Sequence, residues 1–321
     1  MKRALLVGIN YVGTGNDLKG CLNDVANMKT LLEGRGFADI KTVLEKDATT
    51  AGIKAGLEWL IAGAAPGDVL VFHYSGHGSQ LPSKNEPDGF EEIICPIDLN
   101  WTTRVITDDT LRQIFNRVPN GVNTTVILDC CHSGTALDQD ASLATTKEIS
   151  VGITDGEPGR YLAPPAHIVE ELANRDIVDW KTEKDVNASA LLIAACHANQ
   201  TSADAYINGT YQGAATASIL EAVKADPSIS YRGLIYKMGD FMSKNRYTQN
   251  PQLDGFSGLY DEVFTEPFGT AVVESAPVSV APPAVVAPPA VVAEPTKKKS
   301  DPIVTIVVGI IVALVIFVAT R

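Results

Sequence analysis

Residues 123–135 read N-T-T-V-I-L-D-C-C-H-S-G-T, and the way this run ends decides the fold. Thr125 to Leu128 are β-branched and aliphatic, with an Asn-containing turn before them and Gly134 after, the pattern of a short buried strand. The strand breaks directly into Asp129, Cys130, Cys131 and His132. Open α/β sheets present their functional groups just beyond the carboxyl ends of their strands, so this is where a site is expected. Side chains alternate along a strand, which puts Asp129 and Cys131 on one face and Cys130 on the other.

Residues 68–79, D-V-L-V-F-H-Y-S-G-H-G-S, repeat the same grammar. Val69 to Phe72 form a second apolar run, and polar residues then lead into Gly76, His77 and Gly78. The period of two places Ser75 and His77 on one face. Two parallel strands ending this way would bring His77 beside Cys131, although the two are far apart in the chain. A lone buried thiol and a lone loop histidine would be the plainer reading of either residue alone. Two strand ends, each with a reactive group next to glycine, favour a nucleophilic Cys/His pair.

Around these strands the chain alternates. Residues 3–10 read as a first strand, since the apolar run after Lys2 and Arg3 is too short for a signal peptide. Residues 17–35 carry Leu18, Cys21, Val25, Met28 and Leu32 at helical spacing. Residues 40–44 read as a strand and 49–62 as a helix. The order β-α-β-α-β predicts an α/β fold with a mostly parallel sheet and helices on both faces. Further on, 92–96 read as a short strand, 107–118 as a helix, 188–195 as a buried strand, and 213–223 and 231–244 as helices. The fifty or so residues after Asp138 read as an irregular functional loop. Cys196 and His197 are neighbours on a strand and so face opposite ways, a structural reading. Asp108 and Asp109 open a helix, where capping and the helix dipole explain acids without a ligand. With Glu91, Glu92 and Asp138 they also form a set of hard oxygen donors suited to calcium.

The five cysteines include no C-x-x-C pair, which argues against a zinc ribbon or disulfide framework and suits a reducing compartment. The formal net charge is −12. The tail from Thr270 is close to neutral, so the acidity lies in the body, which disfavours nucleic acid and favours cations or basic peptides. A-P-P-A-V-V occurs twice in succession from residue 281, a stiff spacer. Residues 303–320 then carry no charge and would span roughly 27 Å as a helix. Lys297, Lys298 and Lys299 on the near side predict a tail anchor with a cytoplasmic body. Its sequons at Asn100, Asn123, Asn187, Asn199 and Asn208 would then stay unglycosylated.

H-Y-S-G-H-G at 73–78 and D-C-C-H-S-G at 129–134 resemble the two catalytic signatures of metacaspases, caspase-like cysteine peptidases. G-C-L-N-D-V at 20–25, Q-T-S-A-D-A at 200–205 and N-P-Q-L at 250–253 fall in that family's order. The Q-A-C signature of animal caspases is absent. The resemblance covers residues 1–268, leaving 269–301 as linker and 302–320 as anchor.

It implies a caspase-like fold and a thiol peptidase. His77 and Cys131 would be catalytic, with the backbone N–H groups of Gly78 and Cys131 receiving the oxyanion and no third catalytic residue evident. Cys21, Asp24, Ser75 and Asp129 match the family's pocket for Arg or Lys before the cut bond. From its position alone, Asp24 would be an ordinary first-turn acid. Glu92, Asp108, Asp109 and Asp138 match the calcium site of type I members, except that Glu stands at 92 where Asp is expected, which leaves Glu91 open. Self-cleavage in the long loop would follow Lys147, Arg160, Arg175, Lys181 or Lys184. The expectation is thus a calcium-dependent, monomeric, membrane-tethered endopeptidase acting on polypeptides with basic residues. An inactive tail-anchored scaffold and a peptidase cutting after Asp are the other classes.

Overall fold

The computed structural model describes residues 1–84, 86, 89–131, 159–174, 190–197 and 200–270. Contacts divide the chain into units Met1–Glu274 and Ser275–Arg321, and the described residues all lie in the first. Asp138 and the expected span 302–320 fall outside them. Among the described residues no helix is long and apolar enough to cross a membrane.

In chain order the elements are β1 (Lys2–Gly8), α1 (Cys21–Gly34), β2 (Asp39–Leu44), α2 (Thr50–Ile61), β3 (Val69–Ser75), β4 (Gly78–Pro82), β5 (Phe90–Ile94), β6 (Ile106–Thr107), α3 (Asp108–Phe115) and β7 (Asn123–Asp129). There follow α4 (Ala166–Asn174), β8 (Ala190–Ala194), β9 (Asp204–Ile207), β10 (Thr210–Gly213), α5 (Ala214–Ala225), α6 (Tyr231–Lys244) and β11 (Gln252–Gly255). The main sheet has the order β11-β8-β7-β3-β1-β2 and is parallel except for the edge strand β11. The chain begins at β1, adds β2 on one side and then crosses to β3 on the other. That reversal between β1 and β3 opens a crevice at the carboxyl ends of the strands.

Two cores sit on the two faces, and the period of two sorts side chains between them. Leu5 and Val7 of β1, Leu70 and Phe72 of β3, and Val126 and Leu128 of β7 pack with α2 and α3. Ala4, Leu6, Val69, Val71 and Ile127 pack with α1, α5 and α6 on the other face. Helix α2 shows why such segments are helical. Thr49 Oγ1 accepts the Gly52 N–H at 3.0 Å as N-cap, and Ile53, Leu57 and Leu60 then form one buried stripe. Gly56 lies against Leu5 so closely that a β-carbon would overlap it.

Four departures from the sequence reading follow. Helix α1 begins at Cys21 rather than Asp17. Asp17 instead accepts the Gly13 N–H in a turn, and Asp204 holds the N–H groups of Lys19 and Gly20. Residues 78–82, unassigned from sequence, form β4, which pairs antiparallel with β5. A second hairpin, β9–β10, turns at Asn208 and Gly209, both at positive φ. Helix α4 lies within the stretch read as irregular loop, with Ile168 buried against the α2 and α3 core.

Candidate active site

Strands β3 and β7 are adjacent and in a register that pairs Ser75 with Asp129. The segments that follow, 76–78 and 130–131, therefore leave the sheet side by side at its carboxyl edge. Cys130 turns its side chain into the α2 and α3 core, whereas the Cys131 thiol faces Ser202. Cys131 Sγ accepts the Ser202 N–H at 3.1 Å and faces the Ser202 carbonyl at 3.8 Å.

His77 is held from several sides. Its Nε2 donates to the Asn16 carbonyl at 2.8 Å, its ring lies 4.7 Å from the Tyr11 ring, and its backbone N–H donates to the Tyr11 hydroxyl at 3.1 Å. Nδ1 is the ring nitrogen without a partner. Among the described residues no hydrogen bond joins His77 to Cys131. Instead both border one peptide unit of the chain itself, residues 159–162.

That peptide unit is centred on Arg160, which is fully buried. Its carbonyl accepts the N–H of Gly78 at 2.9 Å and that of Cys131 at 3.4 Å, and its own N–H donates to the Ser202 carbonyl at 2.9 Å. Gly159 bridges antiparallel to Ala203, and Leu162 N–H reaches the Gly78 carbonyl at 3.1 Å. The segment thus lies as an extended strand between residues 201–204 and the start of β4.

The Arg160 side chain fills a closed acidic pocket. It donates to Asp24 Oδ2 at 2.7 Å, Asp204 Oδ1 at 2.9 Å, Ser75 Oγ at 2.9 Å and the Asp129 carbonyl at 3.0 Å, with Asp129 Oδ1 at 3.1 Å. Each acid is itself fixed. Ser75 donates to Asp24 at 2.7 Å, and Gly213 N–H donates to both Asp24 oxygens. Ser202 Oγ donates to Asp129 at 2.9 Å, and the N–H and Oγ1 of Thr216, in the first turn of α5, donate to it at 2.8 and 2.7 Å. A carboxylate at a helix N-terminus is favoured by the dipole. Gly213 has to be glycine, because a β-carbon would overlap the Asp129 carboxylate. Cys21 lies beside Ser75 and Arg160, and burial pushes its thiol up to about 12. Burial lifts Asp24 to about 6, against the pull of Arg160. The Arg160 guanidinium is the cation these three fixed carboxylates share, and leaving them buried without it would cost several kcal/mol.

Burial, and then Cys196, push the Cys131 thiol well up. Burial pushes the His77 imidazole down, although the Asn16 and Arg160 carbonyls oppose it. With the segment seated, the Cys131 thiol and the His77 imidazole are both held in their neutral forms. The physical reason is exclusion of water: neither ion of the pair is solvated.

The acids read as calcium ligands gather elsewhere. Glu92 on β5 and Asp108 at the start of α3 are buried, and Arg112 bridges Asp108 and Asp109. Burial, then Glu92, push the Asp108 carboxyl well up, and its Oδ1 has no hydrogen-bond partner. Glu91 is also raised, by burial first and with Asp109 contributing. Among the described residues no three such side chains are arranged to hold an ion, and Asp138 lies outside them.

Sequence reasoning did not single out Asp204, Ser202, Thr216 or the Asn16 carbonyl, and it treated Arg160 as one basic residue among five. Asp204 was visible only as the acid inside Q-T-S-A-D-A. Cys196 is buried and His197 meets Gln252, so those two form no second pair.

Comparison with known proteins places the chain in a family. A family model described as metacaspase, peptidase C14 domain, matches residues 2–140. Metacaspase-1 of Mycosarcoma maydis is 34% identical over 281 residues, spanning 78% of this chain and 69% of that protein. Metacaspase-1 of Candida albicans is 33% identical over 288 residues, spanning 78% and 64%. The crystal structure of protein GSU0716 from Geobacter sulfurreducens superimposes with a TM-score of 0.58 at 28% identity, covering 83% of this chain and 98% of that one. The chain belongs to the metacaspase family of cysteine peptidases.

Proposed function

We propose that this chain is an endopeptidase that cleaves after arginine and whose first substrate is its own Arg160–Tyr161 bond. One observation carries the reading: a buried arginine sits among three carboxylates while its carbonyl receives two backbone N–H groups beside Cys131 and His77. In the reaction, His77 Nδ1 takes the Cys131 proton and Sγ bonds to the Arg160 carbonyl carbon. The oxyanion is stabilised by the N–H groups of Gly78 and Cys131. The C–N bond breaks as His77 returns the proton to the Tyr161 amine, and water then hydrolyses the thioester. Asn16, through its carbonyl on Nε2, keeps Nδ1 the nitrogen that faces the reaction. Lysine would fit the same charge without the planar fork, so arginine should be preferred.

Calcium belongs to the proposal. Glu92, Asp108, Asp109 and Asp138 would hold it, and the unpartnered Oδ1 of Asp108 among like charges fits a hard cation. Bound there, the ion would neutralise the cluster and fix the loops that carry it. The protein is proposed to act as a monomer on polypeptides with basic residues, without nucleic acid, its body cytoplasmic and its residues 302–320 in a membrane.

Incubating the purified chain with calcium and sequencing the fragments tests the core of this reading. The expected product begins at Tyr161 and is absent from Cys131→Ala. Cleavage only at other bonds, or the same cleavage in Cys131→Ala, refutes it.

A further inference from the structure

We infer that Thr201 restricts the residue preceding the cleaved arginine to glycine, so that the enzyme selects Gly-Arg sequences. The inference rests on the reading of Arg160 as a seated substrate. Gly159 is antiparallel to Ala203, and the Arg160 N–H is bonded to the Ser202 carbonyl, which fixes the path of the chain on this side of the cut bond. On that path a β-carbon built on Gly159 overlaps the Cγ2 methyl of Thr201. The built atom lies well inside contact distance of that methyl, so the need for glycine at this position is one of space.

The wall has little freedom to retreat. Ala203 N–H donates to Gln249 Oε1 at 3.0 Å, and Gln249 Nε2 donates in turn to the Ala195 carbonyl at 3.0 Å. Gln200 Oε1 accepts the N–H of Asn250 at 2.9 Å, and Gln200 Nε2 donates to the Thr248 carbonyl at 2.9 Å. Residue 201 is therefore pinned on both sides to the segment that follows α6. Threonine is β-branched, with few χ1 choices, so its methyl does not turn aside freely. The Thr201 β-carbon itself is 3.7 Å from the built atom, an ordinary contact. Removing only the two branches, as in Thr201→Ala, therefore clears the space.

The test compares kcat/KM for two peptides that differ only in Gly-Arg against Val-Arg at the scissile bond. Wild type should prefer glycine by about thirtyfold or more, and in Thr201→Ala the ratio should fall below about threefold. A parallel peptide with Gly-Asp reports on the underlying reading. Cleavage after Arg with equal rates for Gly and Val, or a ratio unmoved by Thr201→Ala, overturns the role of Thr201 and leaves the arginine pocket standing. Failure to cleave Gly-Arg, or equal cleavage of Gly-Asp, overturns both. Folding of the variant is checked by its melt. A second measurement uses the chain itself: Gly159→Val should slow self-cleavage, and adding Thr201→Ala should restore it.

Discussion

Removing the Arg160 side chain should open the site. Seated, the guanidinium donates to Asp24 at 2.7 Å and to Asp204 at 2.9 Å, with every partner fully buried. A hydrogen bond to a charged group nets about 1.5–3 kcal/mol. Taking the low end for these two alone gives about 3 kcal/mol, roughly a hundredfold in the balance between seated and unseated segment. A small thiol reagent reacts only with the unseated fraction, because Cys131 has no accessible surface otherwise. Arg160→Ala should therefore raise the rate of Cys131 alkylation by iodoacetamide about a hundredfold, measured by mass spectrometry in a chelator so that self-cleavage does not intervene. Arg160→Lys keeps one charge without the fork and should fall between. Loss of the segment also admits water, so the thiol should titrate at lower pH in Arg160→Ala than in the wild type. If Arg160→Ala alkylates no faster while its melt shows an intact fold, the segment does not close the site and the reasoning is refuted.

Cys131→Ala should abolish peptide cleavage, and Cys130→Ala should keep most of it at some loss of stability, because Cys130 packs in the core; equal loss of activity in both would reject the assignment. Buried His73 is held down to about 4 by burial, so its stability contribution is present above the unfolded value near 6.5 and lost as pH falls toward 4. His73→Gln keeps a partner for Thr216 but cannot titrate, and relative to wild type it should gain about 3 kcal/mol between pH 6.5 and 4. The raised Asp24 acts in the opposite direction over much of that range, so denaturant melts at several pH values are read as the difference between the two proteins. Asp108→Asn removes a buried like charge beside Glu92 and should melt higher than wild type without calcium, while losing most of any calcium-induced rise in Tm; an undiminished rise would remove Asp108 from the ion site.

The continuous apolar runs of β1, β3 and β7, interleaved with helical segments, were enough to read a parallel sheet covered on both faces, because strands buried on both sides carry apolar residues without interruption. The period of two along a strand separated Cys131 from Cys130, and local motifs marked His77, Ser75 and Asp129. Helix α1 was less legible at its start, since the residues that end the turn before it are held by Asp204, far along the chain. The hairpin at β4 and β5 lacked alternation strong enough to register and exists because β4 continues directly from the His77 loop. What only the tertiary structure decided is the occupant of the pocket. In sequence Arg160 is one of several basic residues in a polar loop. It becomes the seated arginine because Asp24 on α1, Asp129 on β7 and Asp204 on β9 converge from three distant segments on one buried point. Such convergence depends on strand order and crossover, which no local pattern of residues encodes.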